Sequence, residues 1–204
     1  MADKRLDELP PHDRRGFFAA GLARLLRPLA DYVEEKLPVM NVPPAREHIR
    51  PPGAMSEDRY LLTCYRCGSC ADSCPAQAIS ILKTRDEQIN GTPHIDPNER
   101  ACTVCAELAC MSACPSGALK PTDRFSIRMG LARVDERLCT RTHGGDCRIC
   151  VDRCPIGATA ITIDARRRVR VIEPTEKSGG CIGCGVCQEQ CPTRPVRAIR
   201  VRAI

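Results

Sequence analysis

The sequence predicts an α+β chain of short helices and small antiparallel sheets, not a conventional layered core. Three observations point there. The 204 residues include three Phe, three Tyr and no Trp, against 17 Pro and 14 Gly, whereas aromatic side chains normally supply much of a core's buried area. Sixteen cysteines fall into four groups that recur along the chain. Short runs of alternating apolar and polar residues follow most of these groups, the pattern of half-buried strands.

From the N-terminus, residues 1–63 contain no Cys. Asp3 to Arg15 is charged and too polar to bury much surface. Phe17 to Leu26 is apolar, with helical spacing at Phe18, Leu22, Leu25 and Leu26. Pro28 breaks a continuous helix but suits the first turn of a second, Pro28 to Leu37, with Leu29, Val33 and Leu37 on one face. Pro43-Pro44 and Pro51-Pro52-Gly53 mark an extended connector. Residues 1–50 therefore form a helical extension and Pro-rich connector, and residues 51–204 a cysteine-rich domain.

The first cysteine group is Cys64, Cys67, Cys70 and Cys74; the second is Cys102, Cys105, Cys110 and Cys114. The third is Cys139, Cys147, Cys150 and Cys154; the fourth is Cys181, Cys184, Cys187 and Cys191. Each ends in Cys-Pro, and their first cysteines lie 38, 37 and 42 residues apart, so the groups form an internal repeat. Strands are expected at Ala78–Leu82, Ala160–Ile163 and Arg197–Val201, giving a unit of cysteine loop, short helix carrying the fourth cysteine, then strand.

Sixteen cysteines could form disulfides, zinc sites or iron–sulfur clusters, and spacing separates these. The first and fourth groups are unbroken C-x2-C-x2-C-x3-C-P. Three cysteines two residues apart wrap a loop around one four-iron cube, with loop N–H groups free to donate to its sulfides. The fourth, followed by Pro, reaches the other cluster of a pair. Zinc sites combine two separated C-x2-C pairs, and a disulfide scaffold has no reason to repeat this arrangement. The second group, C-x2-C-x4-C-x3-C-P, and the third, C-x7-C-x2-C-x3-C-P, carry insertions but keep all four cysteines and the proline. The sixteen cysteines are thus the candidate metal ligands of four [4Fe–4S] clusters, in two ferredoxin-like modules of two clusters each. His143, inside the third loop, reads as an exposed loop residue, because four cysteines already complete that set. His12, His48 and His94 lack companion ligands.

The formal net charge of +6 hints at an acidic partner. Four oxidised cubanes with their thiolates contribute roughly −8, which removes the hint. Basic–aromatic stripes and recognisable nucleic-acid modules are absent from the sequence. Also missing are a C-x3-C-x2-C radical motif, G-x-G-x-x-G, G-x4-G-K-[ST] and C-x-x-C-H. The reading is an electron carrier, not an enzyme, with no small-molecule substrate. The alternative is an iron–sulfur redox sensor or regulatory protein.

Residues 51–204 resemble the NapG/MauM ferredoxin-type family. The matching stretches are Pro51-Pro52-Gly53-Ala54, Cys64-Tyr65-Arg66-Cys67-Gly68, Gly91-Thr92-Pro93, Cys110 to Leu119 and Met129-Gly130-Leu131-Ala132. The unequal loops match in order. The resemblance implies four [4Fe–4S] clusters, no active site, and electron transfer between a membrane-bound quinol-linked or polyferredoxin partner and a redox enzyme. More distantly, the chain is similar to electron-transfer subunits of the dimethyl-sulfoxide-reductase group. That likeness implies nested pairing, first group with fourth and second with third; sequential pairing is the alternative.

Arg14-Arg15-Gly16-Phe17-Phe18 looks like the twin-arginine export motif usual in this family. Asp13 departs from the usual Ser or Thr, the uncharged run ends at Arg24, and Arg27, Asp31, Glu34 and Glu35 follow. An export signal needs an apolar run of about 7–15 residues and a small-residue cleavage site. The expectation is an uncleaved amphipathic element on a cytoplasmic protein, compatible with peripheral membrane association. Periplasmic location by twin-arginine export is the alternative.

Overall fold

The computed structural model describes residues 46–175 and 179–204. The expected helices of residues 14–37, the export motif and Pro43-Pro44 lie outside the described residues.

Helix α1 (Glu57–Thr63) has Glu57 and Asp58 in its first turn, where carboxylates face the positive end of the helix dipole. Its inner face buries Tyr60, and the Cys64 N–H closes the helix on the Tyr60 carbonyl at 2.8 Å. Four single-turn helices follow: α2 (Ser69–Asp72), α3 (Ala109–Ser112), α4 (Ile149–Asp152) and α5 (Val186–Glu189). Helix α2 packs on α3, and α4 on α5. Each carries the third cysteine of its group, at Cys70, Cys110, Cys150 and Cys187, not the fourth as the sequence led us to expect. The reason is local. A residue preceding proline is pushed out of the helical region, so each helix stops short and leaves the Cys-Pro cysteine just beyond it.

Among the described residues six strands make three antiparallel pairs. Strand β1 (Ser80–Ile81) pairs with β2 (Pro93–His94), Ser80 opposite His94. Strand β3 (Gly130–Val134) pairs with β6 (Ile199–Ala203), Ala132 opposite Val201. Strand β4 (Ile161–Ile163) pairs with β5 (Val169–Val171), Thr162 opposite Arg170. The three expected strands are present in shortened or shifted form as β1, β4 and β6.

Pro51-Pro52-Gly53 is not an open connector. Pro51 and Pro52 are buried, Ala54 N–H returns to the Pro51 carbonyl at 3.2 Å, and Gly53 has φ +77°. Proline second and a left-handed glycine third is the composition of a type II turn. A Cβ on Gly53 would overlap the Lys120 carbonyl and the Met111 side chain. Upstream, Ile49 bridges to Ile95, and Arg50 is 0% exposed, so residues 46–50 pack with the cysteine-rich domain. Two groups of buried aliphatic side chains form the core, and cysteines belong to both. Ile49, Ile79, Ile95, Leu119, Met129 and Ile182 surround Cys70, Cys110 and Cys184. Ala132, Ile161, Val169 and Ile199 surround Cys187 and Cys191.

Candidate metal centre

The cysteine loops owe their curl to paired left-handed residues. In the first, second and fourth groups the residue two past the first cysteine has positive φ: Arg66 at +56°, Val104 at +54° and Gly183 at +77°. The residue capping the following helix repeats this at Gly68, Leu108 and Gly185. A β-branched residue such as Val104 in that region is a genuine outlier. Backbone N–H groups approach the cysteine sulfurs, one from within a loop and others from the segments beside it. Arg66 N–H lies 3.4 Å from Cys64 Sγ, Ala78 N–H 3.4 Å from Cys74 Sγ, and Ala132 N–H 3.4 Å from Cys181 Sγ.

The loops bring the sixteen cysteines into four mixed sets, and none is joined in a disulfide. Cys102, Cys105 and Cys110 line a hollow with Cys74 of the first group. Cys139, Cys147 and Cys150 line a second with Cys191 of the fourth. Cys181, Cys184 and Cys187 line a third with Cys154 of the third group. Each of these hollows has a cavity volume of about 20 Å³. In the remaining set the charge of Cys114, from the second group, acts on both Cys67 and Cys70, and that of Cys64 on Cys70. We refer to each set by the group that supplies three of its members, as sites one to four.

Nested pairing is therefore corrected. Cys74 lines a hollow with the second group and not the fourth, Cys191 one with the third group and Cys154 one with the fourth. The physical reason lies in the helix packing: α2 lies on α3 and α4 on α5, so each Cys-Pro cysteine emerges beside its neighbour in sequence.

The sets fit a cluster better than a single ion. Tetrahedral zinc with Zn–S near 2.3 Å holds its sulfurs about 3.8 Å apart. Among the described residues no three His, Cys, Asp or Glu side chains close on one ion; the cysteines instead ring a hollow. His143 is exposed, its Nε2 2.7 Å from the Arg137 carbonyl oxygen. His94 Nδ1 lies 3.1 Å from the Ser80 carbonyl oxygen, and its ring meets His48 edge-on at 5.8 Å.

Burial sets the chemistry of the sulfurs. Desolvation pushes Cys70, Cys102 and Cys150 up to about 11 and Cys110 and Cys184 up to about 12. It carries Cys187 well above the ordinary thiol value. Repulsion from cysteines of the same set adds to the effect for Cys70, Cys110, Cys150 and Cys187. The opposite holds at Cys67, where the Ser69 hydroxyl at 3.3 Å lowers the thiol. At Cys114 and Cys191 burial pulls upward. Hydrogen bonds from Ser116 and Thr193, with nearby backbone N–H groups, outweigh it and bring both below the ordinary value. The sequence reading missed these hydroxyls. Their signal was present as Cys-Pro-Ser116 and Cys-Pro-Thr193, a hydroxyl two residues past the cysteine.

Comparison with known proteins agrees with this geometry. A model of the 4Fe-4S dicluster domain matches residues 63–118, the stretch that holds the first two groups. The methylamine utilization ferredoxin-type protein MauM of Paracoccus denitrificans is 41% identical over 149 residues, covering 70% of this chain and 66% of that protein. The MauM protein of Methylophilus methylotrophus is 37% identical over 160 residues, covering 75% of this chain and 71% of that protein. The chain belongs to the NapG/MauM ferredoxin-type family. The ferredoxin-type protein NapG of Escherichia coli is 34% identical over 151 residues, 70% of this chain and 65% of NapG. The NapG/MauM chain described here spans about two thirds of the length of these curated relatives. It is an iron–sulfur protein of ferredoxin type. Among its described residues no helix is long and apolar enough to cross a membrane.

Proposed function

We propose that this chain is a four-cluster electron relay without an active site, built as two ferredoxin-like modules. The observation that carries the reading is the mixed composition of every set, three cysteines from one group and the Cys-Pro cysteine of its partner. Site one would be held by Cys64, Cys67, Cys70 and Cys114, and site two by Cys102, Cys105, Cys110 and Cys74. Site three would be held by Cys139, Cys147, Cys150 and Cys191, and site four by Cys181, Cys184, Cys187 and Cys154. A bound [4Fe–4S] cluster supplies reversible one-electron storage at a potential set by its surroundings. The chain supplies the rest. Its aliphatic walls exclude water, its N–H groups and the Ser69, Ser116 and Thr193 hydroxyls donate to the sulfurs, and its left-handed kinks fix those donors in place.

The partners in this reading are redox proteins: a membrane-bound polyferredoxin or quinol-linked subunit on one side and a redox enzyme on the other. Residues 14–37 serve as the docking element on a cytoplasmic protein, ahead of the domain that follows. Deleting residues 1–40 should leave the cluster spectra intact and release the protein from the membrane fraction. Protein isolated from its native cell should read from Met1 or Ala2; a mature terminus beyond Leu37 would replace this location with the periplasm.

The direct test is analysis of anaerobically purified protein, which should hold about sixteen iron and about sixteen acid-labile sulfide per chain. About eight of each after complete reconstitution would reduce the relay to two clusters.

A further inference from the structure

We propose that the four sites lie in the spatial order one, two, four, three, so that sites two and four form the inner junction and sites one and three are the two ends of the relay. This rests on the four-cluster reading above.

The junction is visible in the backbone. Cys102 N–H, at the start of the second group, donates to the Cys184 carbonyl in the middle of the fourth at 3.0 Å. The surrounding contacts make this a seam. Gln188 on α5 is 4% exposed and donates through Nε2 to Asn98 Oδ1 at 2.9 Å. The Gln188 Oε1 accepts from the Val201 N–H at 2.7 Å. Glu189, next on α5, accepts from the Ala101 N–H at 3.4 Å. Gly185 packs so closely on Pro97 and Ala101 that a Cβ there would strike the proline ring. The loop and helix of the fourth group are therefore seated on residues 97–102, which lead into the second group.

The remaining neighbours follow from packing within each half. Helix α2, carrying Cys70 of site one, lies on α3, carrying Cys110 of site two. Helix α4, carrying Cys150 of site three, lies on α5, carrying Cys187 of site four.

The order differs from the order of the motifs along the chain. An electron entering at site one from a one-electron reductant protein passes sites two and four. It leaves at site three to a one-electron oxidant protein, and the reverse route is equally open. One electron is lost by the donor and one gained by the acceptor; no bond forms or breaks.

The test uses anaerobically reconstituted full-length protein. Cys67→Ser with Cys147→Ser retains sites two and four, whereas Cys105→Ser with Cys184→Ser retains sites one and three. Iron analysis comes first. About eight irons in each variant that folds upholds the four-cluster reading, and fewer in a folded variant overturns that reading on its own count. Electron paramagnetic resonance of the fully reduced variants then reads the order. Spin–spin splitting in the variant retaining two and four, with none in the variant retaining one and three, supports the proposal. Splitting in the second variant, or none in the first, overturns it. If either variant fails to fold, iron anomalous scattering from crystals of unmodified holoprotein replaces the spectra. Sites one and three must then be the most widely separated pair, and any other pair being farthest apart overturns the order.

Discussion

Arg50 brings a full charge into the interior of the domain with its side chain 0% exposed. Its Nε and Nη2 donate to both Glu57 carboxylate oxygens, between 2.5 and 3.2 Å. Nη1 donates to Thr92 Oγ1 at 2.8 Å and to the Pro93 carbonyl at 2.9 Å, and the guanidinium lies 4.9 Å over the Tyr60 ring. This network joins the residues before α1 to strand β2. Removing one partner of a buried pair costs about 3–5 kcal/mol, because the other charge stays behind uncompensated. Glu57→Leu should therefore lower the stability of the holoprotein by that order, read as a fall in thermal midpoint with the iron count unchanged below the transition. The second prediction at this scale concerns Cys74. Cys74→Ala should abolish the spectroscopic signal that Cys105→Ser abolishes and spare the one lost in Cys67→Ser, because its sulfur faces site two. Loss of the Cys67→Ser signal instead would return Cys74 to its own group. The sixteen candidate ligands were legible in the sequence because covalent spacing alone constrains a cysteine loop. Arg50 was not legible, since nothing in Ile49-Arg50-Pro51 announces that Glu57, Thr92 and Pro93 will converge on it.

At the scale of elements, close backbone approaches do the work that large side chains do in other folds. Gly183, in the fourth cysteine loop, has φ +77° and sits against the backbone of Gly130 at the start of β3. A Cβ there would overlap Gly130, whereas Gly144 in the third loop has φ +88° and nothing within 4 Å. The pair separates strain from collision. Gly144→Ala should cost about 1–2 kcal/mol, the left-handed penalty alone. Gly183→Ala should cost at least about 2 kcal/mol more from overpacking and lower the iron recovered from site four, measured by iron analysis after reconstitution. Sequence pattern found β1, β4 and β6 by their alternation but not their partners. Pro93-His94 is too short to alternate, and Gly130–Val134 shows three buried residues in a row, which carries no period of two. The pairing of β3 with β6 joins Val134 to Ile199 across more than sixty residues, a distance over which local pattern carries no information. Nested and sequential exchange of cysteines satisfied the same spacings, and only the packing of one-turn helices, which have no periodicity to read, separates them.

The whole domain is organised around its hollows. Tyr60 is the buried aromatic residue among those described, with Tyr65 72% and Phe125 47% exposed. The hollows are lined by aliphatic side chains and cysteine sulfurs and are not filled by aromatic ones. Metal sites of this kind make binding free energy part of folding free energy. Proton linkage acts in the same direction. Without metal, folded thiols raised from 9.0 to about 11 at Cys70 and to about 12 at Cys184 keep protons that the unfolded chain releases. The metal-free fold therefore loses further stability as pH climbs from about 9 towards 12. With clusters bound, the same sulfurs are held as thiolates below the ordinary thiol value near 8.5. That contribution is complete above the unfolded value and is lost as pH falls. Two outcomes are expected. Chelating iron at pH 7.5 should abolish the cooperative thermal transition of residues 60–204, followed by circular dichroism. Chelation should also proceed further at pH 6 than at pH 8 for the same chelator-to-iron ratio, corrected for the chelator's own protonation. A metal-free chain that kept its native spectrum and melted sharply would show that the aliphatic core closes without the clusters, and the hollows would then be cavities the fold can bear empty.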